Sequence, residues 1–270
     1  MKIIDCFIFY NELDMLIYRL NVLDHIVDWF VLVESKHTHT GKETECIYEL
    51  NKNTDSLSKF KNKIIHIIVE DFPFKYPNID CSKDQQWANE NFHRNCIERG
   101  LNKLDLNTDD VITITDLDEI PDPNTLSKVK TDEIRVTVNI LEMDFYYYNL
   151  NSKIDNKWQF PKIVSFGIFK QNSLSCHNCR WLMNSPVIQK GGWHLSYFGD
   201  KYFIQNKIMN FSHQEFNNDE FTNLSKIELR MEGANDLFDR DYNPITKISA
   251  YHNDYLPPEY TGFVKKYILF

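Results

Sequence analysis

No stretch of this chain is apolar for long enough to cross a bilayer, so no membrane span is expected. Nor is there a basic excess. Thirty Lys and Arg against 39 Asp and Glu leave a net charge of -9, the opposite of a nucleic-acid footprint. No glycine-rich, basic phosphate loop follows the first apolar run. Phe9-Tyr-Asn-Glu-Leu-Asp14 stands there instead, which argues against a nucleotidyltransferase. The six cysteines include only one close pair, Cys176 and Cys179, and a lone CxxC is weak evidence for zinc or redox chemistry. Reduced thiols are expected. The opening Met1-Lys-Ile-Ile-Asp-Cys6 runs into a strand through an early acid, unlike a signal peptide. These readings together give a cytoplasmic protein, at most peripheral to a membrane that carries its substrate. Without an internal repeat, low-complexity linker or break in composition, the 270 residues read as one domain.

What is present is an α/β pattern. Ile3 to Phe9 is a strand-like run, and Leu13, Leu16, Ile17, Leu20 and Leu23 then recur at helical spacing. Asp28 to Glu34 is a second strand and Ile64 to Val69 a third, followed by the proline-containing loop Asp71 to Asn78. Strand, helix, strand favours a parallel sheet with a crossover helix. Lys83 to Leu104 reads as one long helix, and Ile163 to Lys170 as a further strand. Ile204 to Phe211 and Leu224 to Gly233 look helical. The proline-bearing tail from Asp241 is expected to wrap the body.

The centre of the pattern is Asp110-Val-Ile-Thr-Ile-Thr-Asp-Leu-Asp-Glu-Ile-Pro-Asp-Pro123. A β-branched strand ends there in Asp116, Asp118 and Glu119, and Pro121 and Pro123 forbid its continuation. Ligands of α/β proteins sit beyond the carboxyl ends of the strands. Asp-x-Asp offers oxygen ligands to a hard divalent cation that shares its shell with substrate phosphates. A solvated acidic turn, with Glu119 or a neighbour capping the next helix, is the plainer reading of so short a motif.

Several ordered stretches shift that balance. Asp5-Cys-Phe-Ile-Phe-Tyr-Asn-Glu-Leu-Asp-Met-Leu16 with Arg19-Leu-Asn21 comes first, then Val27-Asp-Trp-Phe-Val-Leu-Val-Glu-Ser35 and Thr38-His-Thr-Gly41. Asp116-Leu-Asp-Glu-Ile-Pro121, Gly192-Trp-His-Leu-Ser-Tyr-Phe-Gly199 and Lys207-Ile-Met-Asn-Phe-Ser-His213 follow. This set resembles glycosyltransferase family 17. The resemblance implies a GT-A type fold, with residues 1–123 as the nucleotide-sugar part and 124–270 as the acceptor side. It also implies a UDP-sugar donor (UDP-GlcNAc for the characterised member), inversion at the anomeric carbon, a glycan acceptor and a Mn²⁺ or Mg²⁺ ion. An N-terminal membrane anchor, as in the vertebrate enzyme, is not expected here. The alternative is a non-catalytic nucleotide-sugar or glycan-binding module with a degenerate site.

On this reading Asp116 and Asp118 match the family's acidic motif, Asp118 being the first choice as direct metal ligand. His194 is a candidate third ligand, in competition with His213. Asn11, Glu12 and Glu34, at two strand ends, are expected to frame the donor, Glu34 by accepting from uracil or ribose. Arg94 and Arg180 are candidate diphosphate partners, because a guanidinium fork matches phosphate oxygens. Asp144 and Asp200 are the preferred general bases, ahead of Glu142 and Glu215. The run Phe145 to Tyr148 is expected either to stack on an acceptor sugar or to be core.

Overall fold

The computed structural model describes residues 1–268. Four parallel strands build its first half. They are β1 (Ile3–Phe9), β2 (Trp29–Ser35), β3 (Ile64–Val69) and β4 (Val111–Asp116), laid out in the order β3-β2-β1-β4. β1 and β4 are buried almost throughout, which is why they read as continuous apolar runs rather than alternating ones. The crossover helix is Leu13–Leu23, its buried face made by Leu16, Leu20 and Leu23 together with Arg19.

Beyond β4 the chain turns through β5 (Glu119–Pro121) into the helix Pro123–Lys130. Asp122 caps that helix by accepting from the Asn124 N–H at 2.8 Å, so Glu119 is left for other work. The second half adds β6 (Val138–Tyr147), β7 (Ser152–Trp158), β8 (Lys162–Ser165), β9 (Val187–Ser196) and β10 (Ile245–Lys247). β8 runs antiparallel to β4 and β6, and β7 is antiparallel to β6 and β10. β9 lies parallel to β6 and antiparallel to β5. The result is a mixed, ten-stranded sheet with helices on its flanks.

Two elements differ from the sequence pattern. The long helix is broken into Gln85–Asn95 and Ile97–Leu101. Between them the Cys96 N–H is shared by the Phe92 and His93 carbonyls, which tightens the turn. The run from Ile163 leaves its strand at Ser165 and becomes the helix Phe166–Gln171. The Phe166 and Gly167 N–H groups donate to the Asp110 and Thr108 carbonyls at 2.7 and 3.0 Å, drawing the chain out of the sheet. Within β6 the aromatic run divides by pleat, and Tyr148 lies one residue past the strand at φ +64°. Phe145 and Tyr147 reach the cavity described below, whereas the Tyr146 hydroxyl accepts from Asn253 and the Tyr148 hydroxyl donates to the Asn235 carbonyl.

The tail wraps as its prolines suggested: the Trp193 indole donates to the Tyr255 carbonyl, and Phe263 stacks on Tyr18 at 4.2 Å. Among the described residues no helix is long and apolar enough to cross a membrane.

Candidate active site

The carboxyl ends of β1, β2 and β4, together with β6, β9 and the helix Lys201–Asn210, surround one cavity of about 680 Å³. Its size is that of a pocket for a small organic ligand. Glu12, His39, Glu90, Arg94, Asp116, Asp118, Arg180, His194 and Lys207 all line it.

The acidic turn is fixed from beneath by Arg19. This side chain is fully buried and reaches six acceptor atoms. Two are the carboxylate oxygens of Asp5, at 2.8 and 2.7 Å, and one is the Thr115 hydroxyl. The other three are the carbonyls of Asp116, Leu117 and Glu119, at 2.9, 3.0 and 2.8 Å. A planar guanidinium with five N–H groups is suited to such a task and a lysine ammonium is not. Sequence reasoning recorded Arg19 without giving it a role. The available signal was a charged residue in register with Leu16, Leu20 and Leu23 on the buried helix face.

Glu119 closes the turn from the side. It accepts from the Asp116 N–H at 2.6 Å, from Arg180 at 2.6 and 2.7 Å, and from the Trp158 indole at 2.6 Å. Arg180 also reaches Asp116 at 3.1 Å, and Arg94 bonds the other Asp116 oxygen while holding Glu90 at 2.8 Å. Burial opposes the charge of Asp116, but Arg180 and Arg94 outweigh it and lower its pKa. Both expected arginines therefore stand at the cavity, with Asp116 as their shared anchor.

Asp118 sits on the opposite side of the turn. Its Oδ2 accepts from Lys207 Nζ at 3.0 Å, and its Oδ1 lies 3.6 Å from His194 Nε2. Lys207 also faces Glu12 at 3.3 Å. Burial resists ionisation of Asp118, yet Lys207 and then His194 prevail and hold its pKa far below the usual carboxylate range. His194 reaches Asp118 because β9 pairs with β5 in the register Glu119↔His194, and because the Leu195 N–H donates to the Asp118 carbonyl at 2.8 Å. That pairing needs Gly192. Its φ is +142°, and a Cβ there would lie 2.0 Å from the Ile120 carbonyl oxygen. The Gly-Gly-Trp-His sequence is thus a close approach of two backbones that delivers an imidazole to the acidic turn.

A divalent cation is implied by the acidic motif, and the donor chemistry at Asp118 and His194 suits one. Two ligand bonds of about 2.1 Å can span the 3.6 Å between this oxygen and this nitrogen. Among the described residues no three His, Cys, Asp or Glu side chains converge as a cage. An ion here would complete its shell with water or substrate oxygens, as hard cations at phosphate sites do. Asp116, the other expected ligand, also lines the cavity and gives one oxygen to each guanidinium, Arg94 and Arg180. His213 lines the same cavity but pairs with Glu215 at 2.7 Å and lies against Trp87, and it is not among Asp118's direct partners.

Four other expected contacts fall elsewhere. Glu34 is buried and does not line the cavity. Its carboxylate accepts from the Tyr48 and Glu49 N–H groups, at the start of the helix Ile47–Asn51, and meets His66 at 3.0 Å. Asn11 turns to Asn206, donating to its side-chain oxygen at 3.1 Å. Asp144 is buried between Lys153 and Lys157. Asp200 caps the helix Lys201–Asn210 by accepting from the Phe203 N–H at 2.8 Å. Neither preferred base lines the cavity. Of the runners-up, Glu142 accepts from Gln159 and Glu215 holds His213. Replacing Asp144 with Asn is expected to cost about 1.5–3 kcal/mol of stability while leaving turnover at the wild-type level. A thermal melt run beside an activity assay reads both, and a lost turnover with an unchanged melt would return Asp144 to the reaction.

Phe145, from the aromatic run, and several residues the sequence did not single out complete the lining. His39 and His93 meet at 3.3 Å, with Ser212 at 3.1 Å from His39. Burial lowers the pKa of both imidazoles, so they are neutral near pH 7. Trp158 is tilted over His194 at 4.5 Å, and Phe145 stacks on the same ring at 4.5 Å and 7°.

A family profile described as Glycosyltransferase family 17 matches residues 1–244. Two curated relatives share 27% identity with the chain over 113 residues. Both are named beta-1,4-mannosyl-glycoprotein 4-beta-N-acetylglucosaminyltransferase, one from Homo sapiens and one from Rattus norvegicus. The matched stretch covers 41% of this chain but only 20% of each relative.

Proposed function

The chain belongs to glycosyltransferase family 17, and from that membership we propose that it transfers a sugar, GlcNAc, from UDP-GlcNAc to a glycan hydroxyl. The proposed reaction is a single inverting displacement on a GT-A type scaffold. The observation that carries this reading is the meeting of Asp118, His194 and Lys207 with Arg94 and Arg180 around one cavity at the strand ends.

In such a transfer the glycosidic C–O bond to the diphosphate breaks as the acceptor oxygen attacks the opposite face of the anomeric carbon. Negative charge grows on the departing β-phosphate, and cations fixed beforehand stabilise it without reorganising. Lys207 is held ready by Asp118 and Glu12, and Arg94 and Arg180 by Asp116. A divalent ion bound by Asp118 and His194 would add Lewis-acid stabilisation of the same charge. The acceptor proton passes to a base on the cavity wall, whose carboxylates outside the acidic turn are Glu12 and Glu90. The half-buried rings of Trp158 and Phe160 keep the acceptor side dry, which strengthens these electrostatic terms.

The experiment is a donor panel. The purified protein meets UDP-GlcNAc, UDP-Glc, UDP-Gal, UDP-GalNAc and GDP-Man, each with Mn²⁺ and with EDTA, and released nucleotide is scored. Metal-stimulated release from UDP-GlcNAc above the others is expected. Absence of both release and calorimetric binding for every UDP-sugar would overturn the donor assignment.

A further inference from the structure

Resting on the proposed transfer to a glycan, we propose that Trp181 forms a remote acceptor subsite, joined to the reaction centre by a track of aromatic rings. The track starts at His194 beside Asp118. Trp158 lies 4.5 Å from His194, Phe160 lies 4.8 Å from Trp158, and Trp181 lies 5.3 Å from Phe160. All four rings line the same cavity. Ring planes turn by 39° and 46° and then by 84°, so the track curves instead of forming a flat shelf.

Its inner end is rigid. The Trp158 indole is tied to Glu119, which also holds Arg180. Its outer end is open. Trp181 is 58% exposed and is followed by the exposed Leu182 and Met183. A single exposed tryptophan is ordinary on a protein surface. This one closes an unbroken series of rings that begins at the acidic turn, and it also borders a second depression of about 460 Å³. That depression is lined by Thr137, Leu182, Met183, Asn184 and Ser185 among others, so a bound chain has a floor beyond the Trp181 ridge.

The chemistry of the track selects a saccharide. Pyranose rings present apolar C–H faces to aromatic faces and keep their hydroxyls at the edge. Polar groups accompany the rings: His177 and Arg180 line the same wall as Phe160 and Trp181. Sugar hydroxyls meet the His177 imidazole at this wall, whereas Arg180 is already held by Glu119 and Asp116. The inner rings receive the sugar that is glycosylated, and Trp181 receives a sugar one or more units away from it.

The test uses the full chain with UDP-GlcNAc and Mn²⁺ on a panel of reducing-end-tagged mannose- and GlcNAc-terminated acceptors, from mono- to tetrasaccharide. Wild type is expected to favour the tri- and tetrasaccharides. Trp181→Ala is expected to raise KM for the best tetrasaccharide about 3- to 10-fold, the worth of one stacked ring. KM for UDP-GlcNAc should stay put, and Trp181→Tyr should restore most of the loss. Equal use of mono- and tetrasaccharides, or a Trp181→Ala variant with unchanged tetrasaccharide KM, would overturn the track while leaving the transferase reading intact. Donor turnover by wild type with no oligosaccharide accepted would overturn it too. Absence of donor binding and turnover in wild type strikes the transferase reading itself, and the track falls with it.

Discussion

Asp118→Asn should reduce sugar transfer by about 10²- to 10³-fold, the usual cost of removing one fixed electrostatic group from a transition state. The carboxylate does three things in one place. It orients Lys207 at 3.0 Å, faces His194 at 3.6 Å and provides the anionic oxygen of that donor pair. An amide is close in shape, so the Leu195 N–H bond to the residue-118 carbonyl survives and the turn keeps its path. What is lost is charge. Lys207 keeps only Glu12 as a carboxylate partner, and a divalent ion keeps only an imidazole and a neutral oxygen. The expected kinetic signature is a fall in kcat together with a higher Mn²⁺ concentration at half-maximal rate. Turnover and metal response like those of wild type would move the reaction centre away from this turn.

Acid should leave this cluster charged longer than an exposed carboxylate. Asp118 has a folded pKa depressed below its unfolded one, so the stability it contributes is fully present above the unfolded carboxylate range. That contribution is lost only as pH falls through the depressed value, whose cause is Lys207 and His194 acting against burial.

The largest effect on the fold is expected at Arg19. Arg19→Met leaves the Asp5 carboxylate buried, with Thr113 as its remaining side-chain partner, and strips three carbonyls of the acidic turn of their donor. Breaking one side of a fully buried pair costs about 3–5 kcal/mol. A domain holds only about 5–15 kcal/mol in total, so a strongly lowered denaturation midpoint is expected. Arg19→Lys should recover little of it, because a single ammonium cannot span a carboxylate and three carbonyls. The double variant Arg19→Met with Asp5→Leu separates support of the fold from positioning of the site. Replacing both charges by apolar groups should restore much of the stability. Turnover should stay low, since nothing then fixes the carbonyls that orient Asp116 and Asp118. Full activity in that double variant would show that Arg19 serves the core alone.

Trp158 and Trp181 show how far a sequence can hide a site. Each is one aromatic among the five tryptophans of an aromatic-rich chain, in stretches with no motif. Their meaning arises only when β6 pairs with both β7 and β9 and the Trp158 ring settles on His194. Lys207 is similar. It lay within a recognisable stretch, but its partner Asp118 is 89 positions away.

The sequence by itself determined the parallel strands β1 to β4, the acidic end of β4 and the family. These follow from local signals, namely apolar period, proline stops and ordered motifs, which are set by neighbours along the chain. Tertiary structure alone decided which carboxylates are free for chemistry. Glu34 as a donor contact and Asp144 and Asp200 as bases were candidates beside Asp118, yet a helix start, two lysines and a helix cap engage them. An ionisable side chain has no fixed role until its partners are known. Those partners come from distant segments, and only the packed sheet, with β9 threaded between β5 and β6 through Gly192, brings them within reach.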